Sequence, residues 1–293
     1  MGLLQELNEK SFTRFDNLGD LIFKRLLKIF QTYPDCLNLT IIFDRYDFEN
    51  SIKIGERQRR GQNVKIRSYS IVGSRNVPNY KEFLKSNTNK ISLIRFVTQY
   101  LRDAYNKLPN SKVLVIGGGL QNGEACLKIT NAGSWIDEIL KCNHEEADTL
   151  IIFHIRAEKS VHKRIVVKSD DTDVLILLLH YYNCDANDIL EKVYMEKGHS
   201  SVSTSQKRFI PIHTLAHNLG NSICNSLPAF HALTGCDTTN SLFKIGKNSA
   251  FNVLSKNVNN MQLHHFGKTT ISESITVARK FILHLYKQES AED

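Results

Sequence analysis

The sequence predicts an α/β protein with a mostly parallel central sheet, and four stretches carry that prediction. Arg164-Ile165-Val166-Val167 is a short β-branched run that reads as a buried strand. Val174 to Tyr182 follows it closely and is too long and too Leu-rich for a second strand, so it reads as a helix. Leu39-Thr40-Ile41-Ile42-Phe43 and Lys112 to Ile116 repeat the strand pattern, and helical periodicity separates them.

The turn after Val167 is the most distinctive stretch of the chain. Lys168-Ser169-Asp170-Asp171-Thr172-Asp173 places three carboxylates between a strand and a helix. In an open parallel sheet such turns lie at the carboxyl ends of strands, where ligands bind. Three like charges in one turn repel unless something positive offsets them. Two readings stand. In one, Ser169 caps the helix and the acidic residues favour its dipole. In the other, the carboxylates hold a metal.

The remaining elements follow in order. Phe15 to Thr32 carries Leu18, Leu21, Ile22, Leu26, Ile29 and Phe30 at helical spacing, and Tyr33-Pro34-Asp35 ends it. Asp44 stands at the carboxyl end of the strand that follows. Gly61 to Lys90 is polar with a weak pattern and reads as loop, and Ile91 to Tyr105 returns to helix. Gly117-Gly118-Gly119-Leu120-Gln121-Asn122-Gly123 follows the next strand, but its last glycine falls one position late for a dinucleotide loop. A plain glycine turn is the favoured reading over a phosphate cradle, and Glu124 to Ile129, a poor helix opening, could be a hairpin strand.

Asn143 to Leu150 opens another helix. Asn143 and Glu146 form a capping-box-like pair, and Asp148 stands outside it. Lys192 to Met195 reads as a short strand and His213 to Leu219 as helix; His213 and His217 lack an H-E-x-x-H context and read as structural or surface histidines. Gly235-Cys236-Asp237 forms a further acidic turn, and helices are expected near Ser249 to Val258 and Ser272 to Tyr286.

Charge is unevenly spread. Residues 53–112 hold 14 Lys/Arg against 3 Asp/Glu, a local +11; the whole chain carries +8, which leaves −3 for the remainder. A basic segment beside an acidic remainder suits a polyanion partner. The six cysteines form no C-x-x-C pair and read as reduced thiols. The longest apolar runs are too short to span a bilayer, so no membrane partner is expected. Met1 to Lys10 lacks a signal-peptide core, and the nucleus or cytoplasm is the expected location.

Asp44, Glu146, Asp148, Asp171, Asp173 and Asp237 together form an ordered set of acidic positions. Carboxylates suit hard cations such as Mg²⁺ or Mn²⁺. Two such ions about 3.5–4 Å apart can generate hydroxide and stabilise both oxygens of a phosphoryl displacement.

The order and spacing of these motifs resemble the PIN-like nuclease superfamily, in its flap endonuclease branch. Phe43-Asp44 is similar to that family's strand-borne Asp, and Ser51-Ile52-Lys53 to Arg60 to its basic arch. Glu146-Ala147-Asp148 is similar to its acidic helix start, Asp171-Thr172-Asp173 to its Asp-x-Asp turn, and Gly235-Cys236-Asp237 to its Gly-x-Asp turn. Ile245-Gly246-Lys247 is similar to the glycine-bearing hairpin beyond. Glu145 to Thr149 and Leu227 to Asp237 also look like a group of animal proteins thought to be PIN-like.

The resemblance implies a three-layer α/β/α PIN-like fold in a single domain over residues 1–293. An arch-like segment would span about 51–110 and a C-terminal helical part about 213–290. It implies a metal-dependent nuclease acting on DNA or RNA as a monomer. The six acidic residues would ligate two Mg²⁺ or Mn²⁺ ions, and Lys53, Arg57, Arg59 and Arg60 would hold phosphates. The family begins with a strand that ends in a metal-binding Asp; here no strand-borne Asp precedes Asp44, and the expectation is that this strand is missing through truncation or through loss during evolution. This departure favours the alternative of a catalytically degenerate protein that binds nucleic acid. A phosphatase using an Asp nucleophile in the Asp171-Thr172-Asp173 turn is the third reading, and it has no need of Glu146, Asp148 or Asp237.

Overall fold

The computed structural model describes residues 3–4, 6–46, 67–159, 161–185, 191–198 and 207–287. Lys53, Arg57, Arg59 and Arg60 lie outside the described residues. The protein is mixed α/β, and its contacts divide it into two compact units, Gly2–Ala157 and Glu158–Asp293.

In the first unit, α1 (Phe15–Thr32) has the predicted bounds. Its buried stripe of Phe15, Leu18, Ile22, Leu26 and Phe30 recurs every three or four residues, which is why this stretch folds as an amphipathic helix. Strand β1 (Asn38–Ile42) follows. Next come a single turn of helix, α2 (Tyr80–Phe83), and α3 (Asn87–Asp103). Residues 80–90 are therefore partly helical, not loop. Tyr80 and Phe83 are buried in the core, and Ser86 caps α3 through its side chain, five residues before the apolar pattern becomes regular at Ile91.

Strands β2 (Val113–Gly117), β3 (Cys126–Thr130) and β4 (Gly133–Asp137) complete a sheet in the order β1-β2-β3-β4. β1 and β2 are parallel, and the two hairpins that follow are antiparallel. The glycine run is thus a turn, as the sequence favours, and it leads into an antiparallel strand. Its glycines answer to close packing. Gly118 has φ +76°, and a Cβ there would stand 2.4 Å from the Phe43 carbonyl oxygen. Helix α4 (Ala147–Glu158) ends the unit.

In the second unit, β5 (Arg164–Lys168), α5 (Thr172–Asp185), β6 (Lys192–Lys197) and β7 (Arg208–Pro211) build a sheet in the order β5-β6-β7. β5 and β6 are parallel; β6 and β7 are antiparallel. Helices α6 (Ile212–Leu233), α7 (Lys247–Met261) and α8 (Ile271–Leu285) follow. The sequence leads to one mostly parallel sheet; the described strands form two mixed sheets instead. The difference lies in β3, β4 and β7, each of which pairs antiparallel with the strand before it.

Candidate functional site

Both parallel pairings deliver acidic residues at their carboxyl ends. In the first unit, Asp44 lies two residues beyond β1. Its Oδ1 accepts a hydrogen bond from the Ala147 backbone N–H at 2.9 Å. The next residue repeats the link, with the Arg45 N–H donating to the Glu145 carbonyl at 2.9 Å. These two bonds fasten the end of β1 to the start of α4. Glu146 immediately precedes that helix and Asp148 is its second residue, so both flank the amide that Asp44 holds. Asp44 occupies the place that the sequence assigns to Asn143. The capping-box expectation fails because α4 begins at Ala147 and takes its cap from a strand 103 residues earlier.

Asp44 also lines an open cleft of about 300 Å³ with Arg45, Tyr46, Arg95, Gly118 and Gly119. Arg45 is buried there, and a Cβ on Gly123 would fall 2.5 Å from its Nε. Asp44→Ala should cost about 1 kcal/mol by leaving the Ala147 N–H without its acceptor. Asp44→Asn retains an acceptor oxygen and should cost less. Thermal melts of the two variants check this ordering, and an Ala variant as stable as wild type would contradict it.

In the second unit, the three aspartates after β5 divide the work. Asp170 Oδ1 accepts from the Gly198 N–H at 2.9 Å and ties the turn to the end of β6. Asp171 Oδ1 accepts from the Asp173 N–H at 2.9 Å and so caps α5. Ser169, the cap expected from the sequence, instead accepts from the Asp171 N–H at 3.1 Å, because the helix starts three residues later than Ser169. Asp173 is left for a tertiary contact. Its Oδ1 lies 2.7 Å from Nε2 of His231 on α6, and Nδ1 of His231 lies 2.8 Å from Nζ of Lys247 at the start of α7.

Asp237 is exposed in the turn after α6. Gly235 makes that turn with φ +102°, where a Cβ would strike the Ser241 Cα at 2.7 Å. Within the turn the Cys236 Sγ lies 3.2 Å from Thr239 Oγ1 and 3.4 Å from Thr238 Oγ1. Burial raises the thiol's pKa, but these hydroxyls and neighbouring backbone bonds outweigh it and bring the thiol below its ordinary value. His213 behaves as expected of a structural histidine, with Nδ1 3.0 Å from the Val193 carbonyl.

No family model, curated protein or solved structure matches this chain.

Among the described residues, no three His, Cys, Asp or Glu side chains gather into a metal-holding group. Mg²⁺ rarely uses an all-protein cage, however. Mg²⁺ is usually held through one or two carboxylates, with water and substrate phosphates completing the shell. The acidic helix starts at Glu146-Ala147-Asp148 and Asp171-Thr172-Asp173 suit that chemistry. His231 and Lys247 were not legible as site residues. Each is separated from Asp173 by more than fifty residues, and a histidine in an apolar helix reads as core packing. Among the described residues, no helix is long and apolar enough to cross a membrane.

Proposed function

We propose that the protein is a divalent-metal-dependent nuclease of PIN-like type, hydrolysing phosphodiester bonds of DNA or RNA. The observation that supports it best is Asp44 at the end of β1, bonded to the start of α4 between Glu146 and Asp148. The second unit repeats the pattern, with Asp171 and Asp173 following a strand that also pairs in parallel. The three-layer arrangement, monomeric state and nuclear or cytoplasmic location belong to the same proposal.

Asp44, Glu146, Asp148, Asp171, Asp173 and Asp237 are the residues that would hold Mg²⁺ or Mn²⁺. The ion, when bound, supplies an activated water and neutralises charge on the phosphoryl oxygens. The chain's own part is to present carboxylate oxygens from the end of β1, from two helix starts and from the turn after α6. Lys53, Arg57, Arg59 and Arg60 would neutralise the nucleic-acid backbone. The alternative is a catalytically degenerate protein that keeps the basic residues and binds nucleic acid without turnover.

Labelled single-stranded, duplex and flap substrates, incubated with Mn²⁺ or with chelator, decide between the two readings. Metal-dependent cleavage that Asp44→Asn abolishes is the expected result. Salt-dependent binding without cleavage by wild type would replace the nuclease by the binding protein. Replacing Arg57, Arg59 and Arg60 with Ala should weaken binding and lower the slope of log affinity against log salt by roughly 2–3, since each lost phosphate contact removes about 0.7–0.9. An unchanged slope would make the segment a solvated face.

A further inference from the structure

The cleft beside Asp44 lies wholly within the first unit. Its walls come from the segment after β1, from the turn after β2 and from α3. β1 and β2 pair in parallel, so both segments leave the sheet at its carboxyl end, where open α/β sheets bind their ligands.

The charge on these walls indicates what the cleft receives. Arg45 and Arg95 line it, against one acidic residue, Asp44. Each Asp44 oxygen already accepts a hydrogen bond, Oδ1 from the Ala147 N–H at 2.9 Å and Oδ2 from the Tyr46 hydroxyl at 3.3 Å. Arg95 is exposed and has no hydrogen bond or ion pair among the described residues. A third cation stands close by, with the Lys90 ammonium 4.9 Å from the centre of the Tyr46 ring. An excess of positive charge in a concave site favours an anion.

A buried hydroxyl points the same way. Thr98 follows Arg95 by about one turn of α3 and is only 3% exposed. Its Oγ1 has no hydrogen-bond partner among the described residues, although buried polar atoms generally find one. This oxygen stands directly behind the cleft wall, where a Cβ on Gly119 would strike it. Glycine at 118, 119 and 123 leaves that wall as bare backbone, which lets a ligand approach the main chain closely.

We propose that the cleft is a phosphate site, in which Arg95 grips the phosphate group and Arg45 and the glycine turn form the wall behind it. A guanidinium matches phosphate oxygens with two parallel N–H donors. A volume of about 300 Å³ lies at the lower limit of small-molecule pockets, which suits a phosphate group and not a whole dinucleotide. The phosphate belongs to a free nucleotide or to a nucleic-acid backbone, and the same donors serve both. The site needs neither metal nor cleavage, so it stands apart from the nuclease reading. The bland alternative is that the glycines serve packing alone and Arg95 is a solvated surface cation, as most exposed arginines are.

The test is calorimetric titration of the full chain with inorganic phosphate, in chelator and at ionic strength held constant with sodium chloride. Saturable binding with a dissociation constant of about 1 mM or tighter is expected. Arg95→Gln should weaken it about tenfold or more, the size of one hydrogen bond to a charged group. Arg95→Lys, which keeps the charge and loses the fork, should fall between the two. Arg102→Gln lies on the same helix outside the cleft and should bind as wild type does. Both arginines are exposed, so these variants are expected to fold, and circular dichroism verifies it. Displacement of phosphate by a short oligonucleotide assigns the group to nucleic acid; displacement by a nucleoside monophosphate alone assigns it to a free nucleotide. A folded wild type with no saturable phosphate binding overturns the proposal. So does an Arg95→Gln protein that binds as tightly as wild type, or an Arg102→Gln protein that loses as much as Arg95→Gln.

Discussion

Acidification from pH 7 to pH 4 should cost the first unit about 3 kcal/mol through His154 alone. The residue sits on α4, only 5% exposed, and among the described residues neither ring nitrogen has a hydrogen-bond partner. It packs against β2, where a Cβ on Gly117 would stand 3.0 Å from Nε2. Burial lowers its pKa from the ordinary 6.5 to about 4, with Asp137 and Lys128 acting in opposite directions as smaller influences. The folded state therefore favours the neutral ring. Between pH 6.5 and pH 4 the unfolded chain binds the proton and the folded chain does not, so stability falls as pH falls through that window. Each unit of pKa difference is worth about 1.4 kcal/mol, which sets the size of the loss.

His154→Leu removes the titrating group and keeps the volume. Its melting temperature should drop less than that of wild type between pH 7 and pH 4, by roughly 10 °C if a kcal/mol moves the midpoint by 2–4 °C. Carboxylates elsewhere titrate in both proteins, so the difference isolates the histidine. At neutral pH the variant should match or exceed wild type, because two buried nitrogens without partners have been removed. Parallel pH profiles for the two proteins would show that His154 reaches water.

Much of this architecture was legible because it is local. The spacing of Leu18, Ile22, Leu26 and Phe30 defines α1, and the β-branched runs at 39–43 and 164–167 define β1 and β5. The elements that escaped are those whose reason lies elsewhere in the chain. β4 lacks an apolar alternation; Trp135 and Ile136 are exposed, and the strand exists because it pairs with β3. α6 runs through Pro228, a residue that argues for a break when read alone, and it is kinked at Gly220, just past the helix His213 to Leu219 that the sequence indicates. Its length includes residues 227–233, which carry His231 and which the sequence left without an element. The acidic positions were legible one by one. Their division of labour was not, since Asp171 caps, Asp170 braces and Asp173 reaches across only in the folded unit.

That division reverses the sign of one mutation. On charge repulsion alone, Asp173→Asn would relieve a crowded turn and raise the melting temperature without metal. The bond to His231 makes the opposite outcome the expected one. An amide at this position still offers Oδ1 to the Nε2–H, but it loses the charge that makes the bond strong, and the Lys247 cation at the far end loses its balancing anion. Bonds to charged groups contribute about 1.5–3 kcal/mol. The carboxylate is 29% exposed, so solvent reduces the loss to roughly 1 kcal/mol. Asp171→Asn keeps its capping oxygen and should change stability by only a few tenths of a kcal/mol. If Asp173 holds metal, the same substitution has a second and larger effect. Wild type with Mn²⁺ at about 100 times its dissociation constant should gain about 2.7 kcal/mol, and Asp173→Asn should lose most of that gain. Metal-dependent cleavage should fall about 100-fold or more with it, because a hard cation loses a charged oxygen ligand. Melting wild type, Asp171→Asn and Asp173→Asn with and without Mn²⁺ separates the two effects. A metal-free Asp173→Asn that melts above wild type would mean that repulsion outweighs the His231 bond, and an undiminished Mn²⁺ shift would remove Asp173 from the ligand set.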